Sequence, residues 1–169
     1  MTRRPRRILT VREPLRRISQ ALRRALIISF VQQKGGAGKS TAAFHLAVEA
    51  AAQGVRTLVI DADRQRTVRG WARRGGRVDN LSVLSMNQEL LDKAPPLATQ
   101  HDLVIVDTAG QLNDFTDATS SVRAALMVAD QVVLPCGPSP ADASALYGDQ
   151  PDPDEEPSLS TADLIQRAR

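Results

Sequence analysis

The run Lys34-Gly35-Gly36-Ala37-Gly38-Lys39-Ser40-Thr41 constrains the fold more than any other part of the chain. Glycines let a backbone curl around phosphate oxygens, and a helix that begins at Ser40 aims its orphan amides and positive dipole end at the same anion. Such a loop works only between a buried strand and a helix, so it dictates a strand-loop-helix unit. Lys39 supplies a point charge for the β- and γ-phosphates, and the Ser40 hydroxyl stands where it can hold Mg²⁺. The common pattern G-x-x-x-x-G-K-[ST] wants glycine where Gln33 stands, yet Gly38-Lys39-Ser40 is intact. The loop predicts binding of a nucleoside triphosphate.

The flanks agree. Leu26 to Val31 is a short apolar run that feeds the loop, and Thr41 to Gln53 carries Ala, Phe, Leu and Val at helical spacing up to Gly54, a suitable residue for a left-handed helix end. Buried strands are predicted at Thr57–Ile60, Leu103–Val106 and Gln131–Leu134, with one more at Leu81–Leu84. Helices are predicted at about 65–74, 87–94, 116–129 and 140–147. This alternation, with the glycine loop, predicts an α/β fold of the P-loop NTPase kind, a mostly parallel sheet with helices on both faces. Ligands of such sheets sit at the carboxyl ends of strands, where Lys34–Ser40, Asp61 with Asp63, and Asp107 all fall.

Composition, with 42% apolar and 24% charged residues over 169, is that of one globular domain. No apolar run reaches the length of about eighteen residues that a membrane span needs, which predicts a cytoplasmic protein. Cys136, the single cysteine, excludes an intrachain disulfide and is expected to be a small buried residue after a strand. Charge is segregated. The first 24 residues carry nine arginines against Glu13 alone, whereas residues 149–169 carry six acids against two arginines. The expected organisation is a basic arm (1–25), a nucleotide-binding domain (26–148) and an acidic, proline-rich tail (149–169). Val11, Leu15, Ile18, Leu22 and Ala25 fall at helical spacing within the arm, so it reads either as a basic amphipathic helix for DNA phosphates or an anionic surface, or as a solvated tail.

Asp107 ends an apolar strand before Thr108-Ala109-Gly110 and has the form of a metal-binding Walker B aspartate; Asp61 and Asp63 end the second strand with both carboxylates on one side of an extended backbone. The form K-G-G-x-G-K-[ST] resembles the deviant Walker motif of the ParA/MinD family of partitioning and positioning ATPases. Asp61-Ala62-Asp63-Arg64-Gln65 is similar to that family's D-x-D-P-Q, with Arg64 in place of proline. Arg69-Gly70-Trp71-Ala72-Arg73-Arg74 resembles the helix that follows in small plasmid-type ParA proteins, and the stretch from Ala124 to Asp142, including Pro138, resembles their route to the far strand and the adenine.

The resemblance implies ATP and Mg²⁺ as cofactors, held by residues 34–41 and Pro138, with Ser40, Asp61 and Asp107 around the metal. It implies catalytic roles for Lys34, Lys39 and Asp63, the last orienting the attacking water. Lys34 would cross an ATP-dependent homodimer to the partner's nucleotide. A centromere-binding partner protein, non-specific DNA through the arm and a nucleoid-associated location follow by the same resemblance, in plasmid or chromosome partitioning. The family pattern continues past residue 148 with another strand and helices, so two other readings stand beside it: a truncated nucleotide-binding interaction module with little turnover, and a MinD-like positioning ATPase, the terminal Leu164–Arg169 being short for a membrane anchor.

Overall fold

The computed structural model describes residues 12–87, 89–110 and 117–147. Val11 and the acidic tail lie outside them. Five strands, β1 (Leu26–Phe30), β2 (Thr57–Ala62), β3 (Leu81–Ser85), β4 (Leu103–Thr108) and β5 (Gln131–Val133), form one parallel sheet in the order β3-β2-β4-β1-β5. Among the described residues six helices accompany them: α1 (Arg12–Leu22), α2 (Lys39–Ala52), α3 (Thr67–Arg74), α4 (Leu90–Ala98), α5 (Asp117–Val128) and α6 (Pro140–Tyr147).

Strands β1, β2 and β4 are buried along their whole length because both faces of the sheet are covered, which is why they read as continuous apolar runs. Alternate residues serve opposite faces. Leu26, Ile28, Phe30, Val59, Leu103 and Ile105 pack with Ala43, Ala47 and Ala50 of α2 and Val68 of α3. Ile27, Leu58, Ile60, Val104 and Val106 pack with Leu90, Ala94 and Ala98 of α4 and with Ala124 and Ala125 of α5. The small residues let α2 and α4 settle close to the sheet, and each buried Ile, Leu or Val contributes roughly 1.5–3 kcal/mol. Gly54, at φ +79°, closes α2 with its amide on Ala51 O at 2.9 Å.

Four expectations shift. β5 is not a buried strand: it is a three-residue edge that, among the described residues, pairs only with β1, and Val132 and Val133 are exposed. Cys136, in the loop after that edge, is exposed and not buried. α4 runs past its expected end at residue 94 through Pro95 and Pro96, held by the buried face Leu90, Ala94 and Ala98. The helix expected from residue 65 starts at Thr67, because Arg66 adopts a left-handed conformation (φ +53°) and its amide turns back to Asp63 O at 3.0 Å.

The described part of the arm lies against the domain. Of its predicted apolar stripe, Leu15 packs on the α2 side of the core and Ala25 is buried, while Ile18 and Leu22 are exposed. Arg24 grips Asp130 through two hydrogen bonds of 2.7 and 2.8 Å, and Asp130 also accepts the Ile27 amide at 2.8 Å. This clamp fixes the start of β1 to the turn before β5.

Candidate nucleotide site

The central strands β1 and β4 are neighbours, and their chain continuations diverge to opposite sides of the sheet; a crevice opens at their carboxyl ends. The loop from Lys34 to Gly38 crosses it. Gly36 and Gly38 have φ of +76° and +86°, values that a side chain would strain. Gly38 is also the N-cap of α2, with no side chain capping the helix, so the first amides of α2 are left for an anion.

A cleft of about 330 Å³ results, lined by Gly35, Gly36, Gly38, Lys39, Ser40, Thr41, Asp63, Gln65, Thr67 and Gly110. Lys39 is 6% exposed and donates to Lys34 O at 3.3 Å. Burial lowers its pKa, and the negative charges of Asp107 and Asp63 oppose that shift. The Lys39 side chain is poorly solvated at the cleft.

Asp107 is fully buried, and neither carboxylate oxygen has a hydrogen-bond partner among the described residues. Burial pushes its pKa up to about 7. The Ser40 hydroxyl, near but outside regular hydrogen-bond geometry, and the Lys39 charge oppose the rise, while the charges of Asp61 and Asp63 add to it. An orphaned buried carboxylate beside a lysine and a hydroxyl is short of one cation.

Asp61 stands opposite Asp107 in the β2–β4 register and is also fully buried, but it is engaged. Its Oδ2 accepts the Arg69 amide at 2.8 Å and its Oδ1 the Asp63 amide at 3.3 Å. Burial raises its pKa despite these bonds. The carboxylate therefore anchors the first turn of α3 and the bend that presents Asp63. Asp63 is half-buried at the cleft, and its Oδ1 accepts the Gln65 amide at 2.9 Å.

Asp61 and Asp107 are buried and do not line the cleft, and three further predicted residues stand apart from it. Lys34 turns to its own chain, its Nζ 2.7 Å from Asp142 Oδ1 at the start of α6. Asp142 also accepts the Ser139 hydroxyl at 2.6 Å, and Lys34 with Ser139 holds its pKa down at about 2. Ala37 is a half-buried member of the loop, and Pro138 is exposed on the segment after β5.

Gln65, Thr67 and Gly110 line the cleft although no role was read for them in the sequence. Gly110 matters most, since a Cβ there would lie 2.9 Å from Lys39 Nζ and 3.2 Å from Gly35 Cα. The sequence signal was its place three residues after Asp107. Thr108 donates to Phe30 O at 2.8 Å and ties the end of β4 to the end of β1. Among the described residues no group of three or more His, Cys, Asp or Glu forms a metal cage. A divalent cation here would need the bound ligand to complete its shell, as Mg²⁺ with phosphate does.

A parallel α/β sheet with a glycine phosphate loop at its switch point defines a P-loop nucleotide-binding fold. The model of the CobQ/CobB/MinD/ParA nucleotide binding domain matches residues 28–146, and the chain belongs to that family. It is 34% identical to the maintenance of carboxysome distribution protein A of Gloeobacter kilaueensis over 121 residues, 71% of this chain and 53% of that protein. It is 34% identical to protein ParA of Rhizobium radiobacter over 122 residues, 70% of this chain and 51% of that protein. The chain thus spans about half the length of the curated relatives it matches. The same fold is seen in the cell division ATPase MinD of Pyrococcus furiosus (TM-score 0.53, 20% identity, 69% of this chain and 61% of that one). It is seen also in MinD of Pyrococcus horikoshii complexed with Mg-ADP (TM-score 0.54, 18% identity, 71% and 61%). Among the described residues no helix is long and apolar enough to cross a membrane.

Proposed function

We propose that the chain is a Mg·ATP-dependent ATPase that dimerises on ATP and acts, with a partner protein and DNA, in partitioning or positioning a cargo such as a plasmid or chromosome. The observation that carries the reading is the buried Asp107 carboxylate, which has no hydrogen-bond partner among the described residues and lies near Lys39 and Ser40 of the glycine loop. The ParA and carboxysome-distribution relatives support the cargo class.

Ser40 and Asp107 would hold Mg²⁺, with Asp61 supporting that shell at one remove by fixing the segment around Asp63. Bound there, Mg²⁺ supplies charge neutralisation across the phosphates. The amides of Gly36 to Ser40 and the Lys39 ammonium cradle the β- and γ-phosphates. Asp63, on the cleft wall and free of a buried ion pair, orients the attacking water. Lys34 leaves Asp142 to reach the partner protomer's nucleotide, adding a cation where charge spreads in the transition state. Pro138 flanks the adenine.

Phosphate release and light scattering test this together. The expected results are slow turnover with ATP-dependent dimers for the full chain, and for Asp63→Ala no turnover with accumulated dimers. A chain that stays monomeric and shows no heat with Mg·ATP in calorimetry overturns it. Among the described residues no strand pairs with the outer edge of β5, which favours a second reading, a nucleotide-binding module with little turnover. ATP binding without phosphate release, with or without a partner protein, would select it.

A further inference from the structure

The segment between Asp63 and Asp79 contains six arginines and no acid. Four of them, Arg66, Arg69, Arg73 and Arg74, are exposed on or beside α3, and none makes an ion pair with a carboxylate among the described residues. Their spacing of three, four and seven puts Arg66, Arg69 and Arg73 on one side of the helix, with Arg74 adjoining. The opposite side is fixed to the body: Val68 is fully buried and Trp71 stacks at a tilt on Phe44 of α2, ring centroids 5.8 Å apart.

An unpaired like-charge cluster on a rigid helix costs free energy through mutual repulsion, and a polyanion offsets that cost on binding. We propose that the outer side of α3 binds the phosphodiester backbone of duplex nucleic acid. This deepens the partitioning reading and rests on it, because it names the surface that carries DNA in that cycle. Arginine forks match phosphate oxygens in pairs of hydrogen bonds, and every cation of α3 is arginine. No large exposed hydrophobic residue lies on α3, in contrast to Ile18 and Leu22 of α1, so the surface suits a polyanion and not a bilayer. Trp71 is committed to Phe44 and does not offer a base-stacking platform; binding is therefore sequence-independent. α3 is also hung from the nucleotide site, through the Asp61 bond to the Arg69 amide and through Thr67 at its first position.

Fluorescence anisotropy of the full 169-residue chain on random duplex DNA across a salt series tests the surface. Each phosphate neutralised adds about −0.9 to the slope of log K against log salt, so Arg73→Ala with Arg74→Ala should flatten the slope by roughly 1.8. Arg73→Lys with Arg74→Lys should keep most of the slope, which a merely structural loss would not allow. Lys93→Ala, on the opposite side of the sheet and paired with Glu89, should leave it unchanged. An unflattened slope in the alanine variant, absence of duplex binding by the wild type, or binding only to phosphatidylserine vesicles overturns the proposal. Calorimetry with Mg·ATP on the same samples separates the two readings: heat without duplex binding removes this surface and leaves the nucleotide site, whereas duplex binding without heat removes the nucleotide site alone.

Discussion

On one wall of the cleft the chain offers donors with capacity to spare: the uncapped start of α2 and the buried Lys39 ammonium, which spends one hydrogen bond on Lys34 O. On the other side three carboxylates stand at the strand ends, of which Asp63 alone lines the cleft, and each is in a different condition. Asp61 is buried and bound by two amides, Asp107 is buried with no hydrogen-bond partner among the described residues, and Asp63 is half-buried at the opening. The donor wall is built from backbone, so it needs only glycines and a helix start. The acid wall is built from side chains on adjacent strands, so its condition depends on burial and register. The donor wall is ready for its ligand, and the acid wall is left electrostatically incomplete.

Asp107→Asn should break that contrast with the largest effect. The carboxyl has its pKa raised to about 7 by burial, above the ordinary value of 3.8 that the unfolded chain would show. Between those values the folded protein holds a proton that the unfolded chain has released, so stability falls as pH rises from about 4 to 7 and levels off above. The penalty at neutral pH is on the order of 4 kcal/mol at most. The asparagine variant should be more stable than wild type at pH 7 and lose this pH dependence, while Mg·ATP binding weakens. Urea unfolding at pH 5, 6 and 7 checks it; parallel curves for the two proteins would mean that Asp107 carries no such penalty.

Lys39→Ala tests the donor wall. A charge-assisted hydrogen bond to phosphate contributes about 2–3 kcal/mol, so ATP affinity should fall roughly 30- to 150-fold. Calorimetry showing equal affinity would remove Lys39 from the phosphates. Because the Lys39 charge also opposes the rise in the Asp107 pKa, the variant should make Asp107 harder to ionise and deepen the fall in stability with pH.

The donor wall was legible in the sequence because it is local: eight consecutive residues between an apolar run and a helical pattern contain all of it. Strands β1, β2 and β4 were legible for a related reason, since burial on both faces writes an uninterrupted apolar run. The acid wall was legible only in residue type. That Asp61 spends its carboxylate on the Arg69 amide is set by a turn in which Arg66 takes a left-handed conformation, and no spacing encodes that. β5 misled because its valines read like those of a central strand, while their exposure depends on there being a neighbour on the far side. Gly110 was missed because its constraint is a contact with residues more than seventy positions earlier.

Gly110→Ala joins the two walls. A methyl group there meets the Lys39 ammonium, the end of a flexible side chain, at 2.9 Å but also the Gly35 backbone at 3.2 Å, and only the ammonium can give way cheaply. Overpacking of this kind costs about 1–2 kcal/mol. ATP affinity should fall roughly 5- to 30-fold, with a smaller loss of thermal stability. An unchanged affinity in calorimetry would show that Lys39 reaches phosphate from another position.

The smallest effect is expected from Asp142→Asn, and it asks whether Lys34 belongs to the donor wall at all. The Lys34–Asp142 pair lies at the surface, where ion pairs stabilise little, so thermal unfolding should barely change. Asp142 has its pKa depressed to about 2; the pair is complete at neutral pH and is lost only as pH falls through that value. At pH 7 it therefore competes with any contact that Lys34 makes across a dimer. Removing the competitor raises the fraction of protomers with Lys34 available, and the ATP-dependent dimer should tighten by roughly two- to fivefold. Lys34→Ala should weaken the same dimer. Light scattering over a protein concentration series distinguishes the outcomes: a dimer that is indifferent to both substitutions would leave Lys34 as a partner of Asp142 within one chain, and the donor wall would then end at Gly35.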